Sequence, residues 1–169
     1  LGWPYTYFDQ RKNKRMIAPE YGGDGKKVST TKKYQDPLIG FPGHWAPNDL
    51  IFYTGNSFPL RYREGAFIAF HGSWNRAPFP QEGYKVVFVP MKDGKVTGSY
   101  EDFVTGFSGQ EKLDTSGDAK YRPMGLAIGK EGELIIVDSR EGKIWSVWPQ
   151  IAQGSKEEVV KDGESAPEK

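Results

Sequence analysis

The chain has 169 residues, enough for one domain with a sizeable core and short for two. Its 23 basic and 22 acidic residues leave a formal charge of +1, so no field for a polyanion is present and a nucleic-acid surface is not expected. Cysteine is absent, which excludes a disulfide framework and a thiolate metal site, and no run is long and apolar enough for a membrane span.

The chain opens on "LGWPYTYF", which has no features of a signal peptide and reads like the middle of a domain. "GDGKKVST" (23–30) lacks the Gly spacing and the Lys-Ser/Thr pair of a phosphate loop. Lys26, Lys27, Lys32 and Lys33 around it read as a solvated face. Period-2 alternation then predicts short strands over 50–53, 66–70, 85–89, 124–128, 133–137 and 143–147, with a weaker one at "EDFVTGF" (101–107). "KDGK" (92–95), "KEGE" (130–133) and "REGK" (140–143) are hairpin-type turns. With 21 Gly, 12 Pro and no long 3.6-period apolar stripe, the class is all-β. Residues 1–150 form the domain; 151–169 are charged and read as a mobile tail or a last frayed strand.

The strands repeat. "PNDLIFY" (47–53) resembles "PMGLAIG" (123–129), "GAFIAFH" (65–71) resembles "GELIIVD" (132–138), and "GYKVVFVP" (83–90) resembles "GKIWSVWP" (142–149), in one order. Repeated antiparallel four-strand units are the sequence mark of a β-propeller; a sandwich with look-alike hairpins is the competing architecture. Two copies plus the N-terminal segment amount to between two and three units, and closure needs at least four or so. The expectation is therefore an incomplete β-propeller, the C-terminal piece of a longer one.

Antiparallel strands reverse at every turn, so the loop entering a unit's first strand and the loop between its second and third strands share an end. His44 and Trp45 precede one copy, and Lys120, Tyr121 and Arg122 precede the other. His71, Trp74, Asn75 and Arg76 occupy the second-to-third loop of the first copy; Asp138, Ser139 and Arg140 occupy that loop in the second. Both histidines thus fall on one face with several cations and flat aromatics. Such a face suits a planar anionic ligand, since guanidinium pairs bidentately with carboxylates and indoles stack. Singly these residues have plainer readings: a salt-bridged surface Arg, core-capping Trp45 and Trp74, a His71 bonded to a carbonyl. Their coincidence at one end favours a site. Two His without Cys make no plausible zinc centre, and "HGSWN" is not a G-x-S-x-G elbow, so Ser73 reads as a turn residue.

"GWPY", "HWAPNDLIFYTGNSFPLRYREGAFIAFHGSWNR", "GYKVVFVPMKDGKVTG", "EDFVTGF" and "YRPMGLAIGKEGELIIVDSREGKIW" together resemble the glucose/sorbosone dehydrogenases over residues 2–148. These are pyrroloquinoline quinone (PQQ) dependent sugar dehydrogenases with a six-bladed propeller. The resemblance implies PQQ seated over the central channel. His71 matches the side chain near the quinone oxygens and is the catalytic candidate; Lys120 and Arg122 match basic contacts; His44 matches a polar cofactor contact. Trp74, Asn75 and Arg76 belong to the signature and join the cofactor-binding candidates. The implied chemistry is oxidation of a sugar alcohol, hemiacetal or aldehyde, with hydride passing to the quinone C5 while a base takes the hydroxyl proton and an acceptor such as a cytochrome or quinone removes the electrons. The family's general-base His and its Ca²⁺-binding carbonyls lie upstream of "GWPY", so the chain alone is expected to be inactive. A periplasmic or extracellular location follows from the family only. Two other functions stay open: a non-catalytic propeller module binding sugar or a partner protein, and a calcium-dependent propeller lactonase, whose Glu/Asn/Asp centre fits this cationic face less well.

Overall fold

The computed structural model describes residues 2–150; Leu1 and the segment expected as a tail, 151–169, lie outside the described residues. A small hairpin comes first, β1 (Thr6–Asp9) with β2 (Lys14–Ile17). The sequence reading gave no strands here, because four-residue runs carry too little alternation to register. The Asp9 carboxylate closes the turn by accepting the Arg11 and Lys12 backbone N–H groups at 3.0 and 3.2 Å. Arg15, buried on β2, is neutralised by Asp36 at 2.6 Å.

A four-strand antiparallel meander follows: β3 (Pro47–Phe52), β4 (Gly65–Phe70), β5 (Lys85–Lys92) and, beyond the short return strand β6 (Lys95–Val96), β7 (Glu101–Val104) on the far side of β5. The second meander has three strands, β8 (Pro123–Ile128), β9 (Leu134–Asp138) and β10 (Ile144–Val147). Among the described residues there is no α-helix, only 3₁₀ turns, and no helix is long and apolar enough to cross a membrane.

The meanders are copies of one another in detail. Phe52 pairs with Ala66 as Ile128 pairs with Leu134, and each copy carries a bulge at the same place, between Pro47 and Asp49 and between Pro123 and Gly125. This register corrects the sequence alignment of the repeat by one residue. Matching Gly65 to Gly132 equates a strand residue with a turn residue whose φ of +88° a side chain rarely adopts. Counted from the paired strands, Phe70 corresponds to Asp138, and His71 to Ser139.

The sheets stack face to back. Ile51, Phe67, Ala69, Val86 and Phe88 of the first meander meet Leu126, Leu134, Ile136, Trp145 and Val147 of the second. The positions equivalent to Leu134 and Ile136, namely Ala66 and Ile68, point the other way, toward Phe41, Met91 and Val96 and an apolar groove of 540 Å³. Polar ties fix the stack at two heights. Asp49 Oδ2 accepts the Leu126 N–H at 2.7 Å, and the Tyr53 hydroxyl and Ser57 Oγ both donate to the Gly132 carbonyl at 2.6 Å.

Candidate functional site

The end opposite the Gly132 turn carries the expected polar residues. The His71 and Gly72 N–H groups donate to the carbonyls of Ala46 and Trp45, which brings the loop after β4 against the segment entering β3. Gly72 has a φ of +92°, and a Cβ there would sit 2.2 Å from the Tyr84 ring, so only glycine lets the chain pass at this point. The loop then folds around Ser73, fully buried, which donates to Gln81 Oε1 at 2.7 Å and accepts the Glu82 N–H at 2.9 Å. The Tyr84 hydroxyl donates to the Ser73 carbonyl at 2.7 Å. Ser73, expected as a turn residue, is a buried structural residue of the loop with its hydroxyl engaged as both donor and acceptor.

The second meander reaches the same end by a different device. Asp138 is 2 % exposed, and its carboxylate accepts the backbone N–H groups of Arg122 and Glu141, each at 2.6 Å. Burial alone would raise its pKa, but these backbone donors override burial and hold it below the usual carboxylate value. Ser139 N–H donates to the Arg122 carbonyl at 3.2 Å, completing the clamp.

At the junction of the two loops His71, Trp74 and Arg122 touch. The Arg122 guanidinium lies 4.2 Å from the Trp74 ring centroid and 5.1 Å from that of Tyr84, and His71 stacks with Trp74 at 5.8 Å and 19°. Arg122 Nη2 donates to the Ser116 carbonyl at 2.7 Å, and Nη1 faces Gly72 O at 3.4 Å and His71 Nδ1 at 3.4 Å. Arg122 is only 4 % exposed, yet among the described residues no carboxylate forms an ion pair with it. Buried charges are normally paired; this one is held by carbonyl dipoles and π faces. Sequence topology placed Arg122 on the same face as Trp74 but not beneath it; Trp74, 65 % exposed, covers the guanidinium, which is weakly hydrated and gains by stacking under an indole. His71 is half-buried. Burial first, then the Arg122 charge, lowers its pKa below the ordinary imidazole value, with Asp138 opposing.

The remaining candidates fall outside this cluster. His44, exposed, lines a neighbouring hollow of 560 Å³ with Asn75, Arg76, Phe79 and residues of β1 and its turn. Arg76 is already engaged, donating to the Pro80 carbonyl at 2.8 Å and pairing with Glu82 at 2.9 Å. Trp45 is buried core, its indole N–H donating to Glu82 Oε2 at 3.2 Å. Lys120 stands over the Tyr121 ring at 5.4 Å. Lys143 donates to the Tyr121 hydroxyl at 3.0 Å, lowering the phenol's pKa and raising its own. Of two further participants, Tyr84 was not singled out from the sequence, and Ser139 was placed on this face by its loop without being made a binding candidate. Tyr84 sits under the guanidinium, and Ser139 Oγ lies 2.9 Å from His71 Nε2. The corrected repeat register was the signal for Ser139, since it puts the two residues at equivalent places in adjacent units. Among the described residues no group of three His, Asp or Glu is placed to hold a metal ion.

Comparison with known proteins gives this arrangement a context. An uncharacterized protein of Borreliella burgdorferi is 32 % identical over 150 residues, 88 % of this chain and 35 % of its own length. A pyrroloquinoline quinone-dependent pyranose dehydrogenase of Coprinopsis cinerea is 31 % identical over 162 residues, 82 % of this chain and 21 % of its own. The chain thus spans about a third of the one relative and a fifth of the other. Among solved structures, the calcium form of the Trichoderma reesei family AA12 carbohydrate-active enzyme superposes with a TM-score of 0.56 at 24 % identity, covering 85 % of this chain and 36 % of that one. That likeness concerns the fold. The model of the TrAA12-like family matches residues 10–150, most of the described length, and the chain belongs to that family.

Proposed function

We propose that the chain is part of a quinoprotein dehydrogenase that oxidises a sugar or sugar aldehyde with PQQ, and that it supplies one sector of the cofactor's rim. The observation that carries this reading is the buried Arg122 guanidinium without a carboxylate partner, held between Trp74 and Tyr84 beside His71. A planar tricarboxylate quinone is the ligand that such a group would recognise, by charge and by stacking. The Coprinopsis relative's dependence on PQQ supports the same assignment.

The architecture is read as an incomplete propeller. Face-to-back stacking of two equivalent sheets is a heterologous contact, and repeating it with a constant rotation closes a ring. It leaves the groove beside Leu50 and Phe52 on one side and Met124, Ala127, Ile135 and Ile144 on the other as apolar faces for further units.

PQQ, when bound, supplies the two-electron acceptor for the sugar's hydride. The chain's own residues bind and orient. Arg122 provides fixed positive charge near the rim, stacked under the Trp74 indole. His71, its pKa lowered and therefore neutral near pH 7, offers one donor and one acceptor nitrogen without adding charge. His44, Asn75 and Arg76 line a second polar hollow suited to the sugar or to outlying carboxylates. Lys120 and Lys143, with Arg140, make the outer rim cationic, a surface suited to docking an acidic electron acceptor. The general base and the calcium ligands are expected outside these residues, and the location is expected to be periplasmic or extracellular.

Titrating the 169-residue chain with PQQ tests the reading. Tryptophan fluorescence should quench, and Arg122→Gln should weaken binding at least tenfold, with Arg122→Lys recovering little because a point charge does not replace a stacked fork. An unresponsive wild type would favour a non-catalytic recognition module. With PQQ, Ca²⁺, aldoses and a dye acceptor the chain alone should show no turnover; turnover would overturn the missing-base argument.

A further inference from the structure

The contacts of His71 fix the position of its proton. Arg122 can only donate, so the ring nitrogen facing it, Nδ1, must be an acceptor, and the imidazole proton sits on Nε2. Nε2–H then donates to Ser139 Oγ at 2.9 Å. A hydroxyl that accepts this bond still has its own proton to give, and among the described residues Ser139 Oγ has no other partner. Its backbone is pinned by the bond from its N–H to the Arg122 carbonyl and by the neighbouring Asp138 clamp. Ser139 is exposed where Arg122 is covered.

We infer that Ser139 is a ligand-binding residue: its hydroxyl, oriented by the Arg122–His71 pair, donates to an anionic carboxylate or quinone oxygen of the rim ligand. The inference rests on the PQQ reading for the ligand's identity, while the hydrogen-bond order rests on geometry alone. The repeat gives it a reason. His71 and Ser139 occupy equivalent positions in adjacent units, so the fold brings them to one junction. A chain of donors there carries the polarising effect of a sheltered guanidinium out to an accessible hydroxyl.

Two measurements test it. In the first, ¹⁵N-histidine-labelled chain is examined at neutral pH by long-range proton–nitrogen correlation, with His44 as internal reference. Wild type should place the His71 proton on Nε2, and Ser139→Ala should shift the tautomer balance; a proton on Nδ1 in wild type overturns the order. In the second, PQQ affinity is compared among wild type, Ser139→Ala and Ser139→Thr. The alanine variant should bind about tenfold more weakly and the threonine variant should recover most of the loss. Wild type and Ser139→Ala binding equally would overturn the inference and leave the PQQ reading intact. A wild type that ignores PQQ overturns that reading and the ligand half of this one, while the tautomer result still decides the donor order.

Discussion

The two meanders solve one problem twice, and they differ most at the strand that should be the same in both. Every residue of β4 is buried, whereas along β9 Leu134, Ile136 and Asp138 are buried and Ile135 and Val137 are partly open. Strand β4 is covered on both faces by described residues, β9 on one. At the last strand position the first copy has Phe70, packed edge-on against Phe41 and Trp45, and the second has Asp138, bonded to backbone. A long loop that carries its own small core of Ser73, Gln81 and Tyr84 follows the phenylalanine. The short turn after the aspartate has no room for one, so a carboxylate takes over the organising task. Equivalent places in a repeat thus keep geometry constant while the means of holding it change.

The largest test of this contrast sets Phe67 against its counterpart Ile135. Phe67 is fully buried among Tyr62, Phe88 and Phe103, and Phe67→Ala should cost about 3–5 kcal/mol in denaturant unfolding. Ile135→Ala, on the open face, should cost roughly 1 kcal/mol or less. Equal losses would mean that the outer face of the second sheet is covered.

Next comes Asp138. Its replacement by Ala strands the Arg122 and Glu141 N–H groups in a buried setting and should cost about 2–3 kcal/mol, with Asp138→Asn retaining part of the stability through its remaining carbonyl oxygen. The side-chain effect should be accompanied by loss of PQQ response, because the clamp also fixes Arg122. If Asp138→Ala unfolds like wild type, the carboxylate is not what holds the turn.

A smaller effect is expected at the tie between the sheets. Asp49→Ala removes the acceptor for Leu126 N–H, and about 1–2 kcal/mol should be lost. Thr or Ser at this position should not recover it, being too short to span from one sheet to the other.

How much of this could be read in the sequence follows from where the causes lie. Strands β3 to β10 were legible, apart from short β6, because half-buried sheets print their alternation onto the chain. Their ends moved by a few residues, as at Pro47, where a bulge carries the pairing past the alternating run. The shared face of His71 and Arg122 followed from strand reversal alone. The contents of that face did not. That Arg122 would be covered by Trp74, that Arg76 would be claimed by Glu82, and that His44 would line a separate hollow all depend on side-chain choices among near neighbours. The aspartate clamp was equally hidden, since "VDSR" reads as an ordinary turn until the Arg122 N–H is seen to end on it.

The smallest predicted effect is a slope. Residue 71 titrates and its counterpart Ser139 does not, so the two copies should differ in what acid does to them. Partial burial and the Arg122 charge lower the folded pKa of His71, and Asp138 only partly opposes them. In the unfolded chain His71 takes up its proton at about pH 6.5, before the folded chain does. Its contribution is therefore fully present above about that pH and is lost as pH falls through the folded value. Asp9, Asp24 and Asp138, whose pKa values are also lowered, lose theirs only in more acidic solution, below the ordinary carboxylate value. Melting temperature should thus decline between about pH 7 and pH 5, and His71→Gln should flatten that limb while leaving the steeper acid limb in place. An unchanged slope in the variant would mean that the imidazole is not sheltered. A reversed slope, with wild type gaining stability on acidification, would mean that Asp138 outweighs the guanidinium beside it.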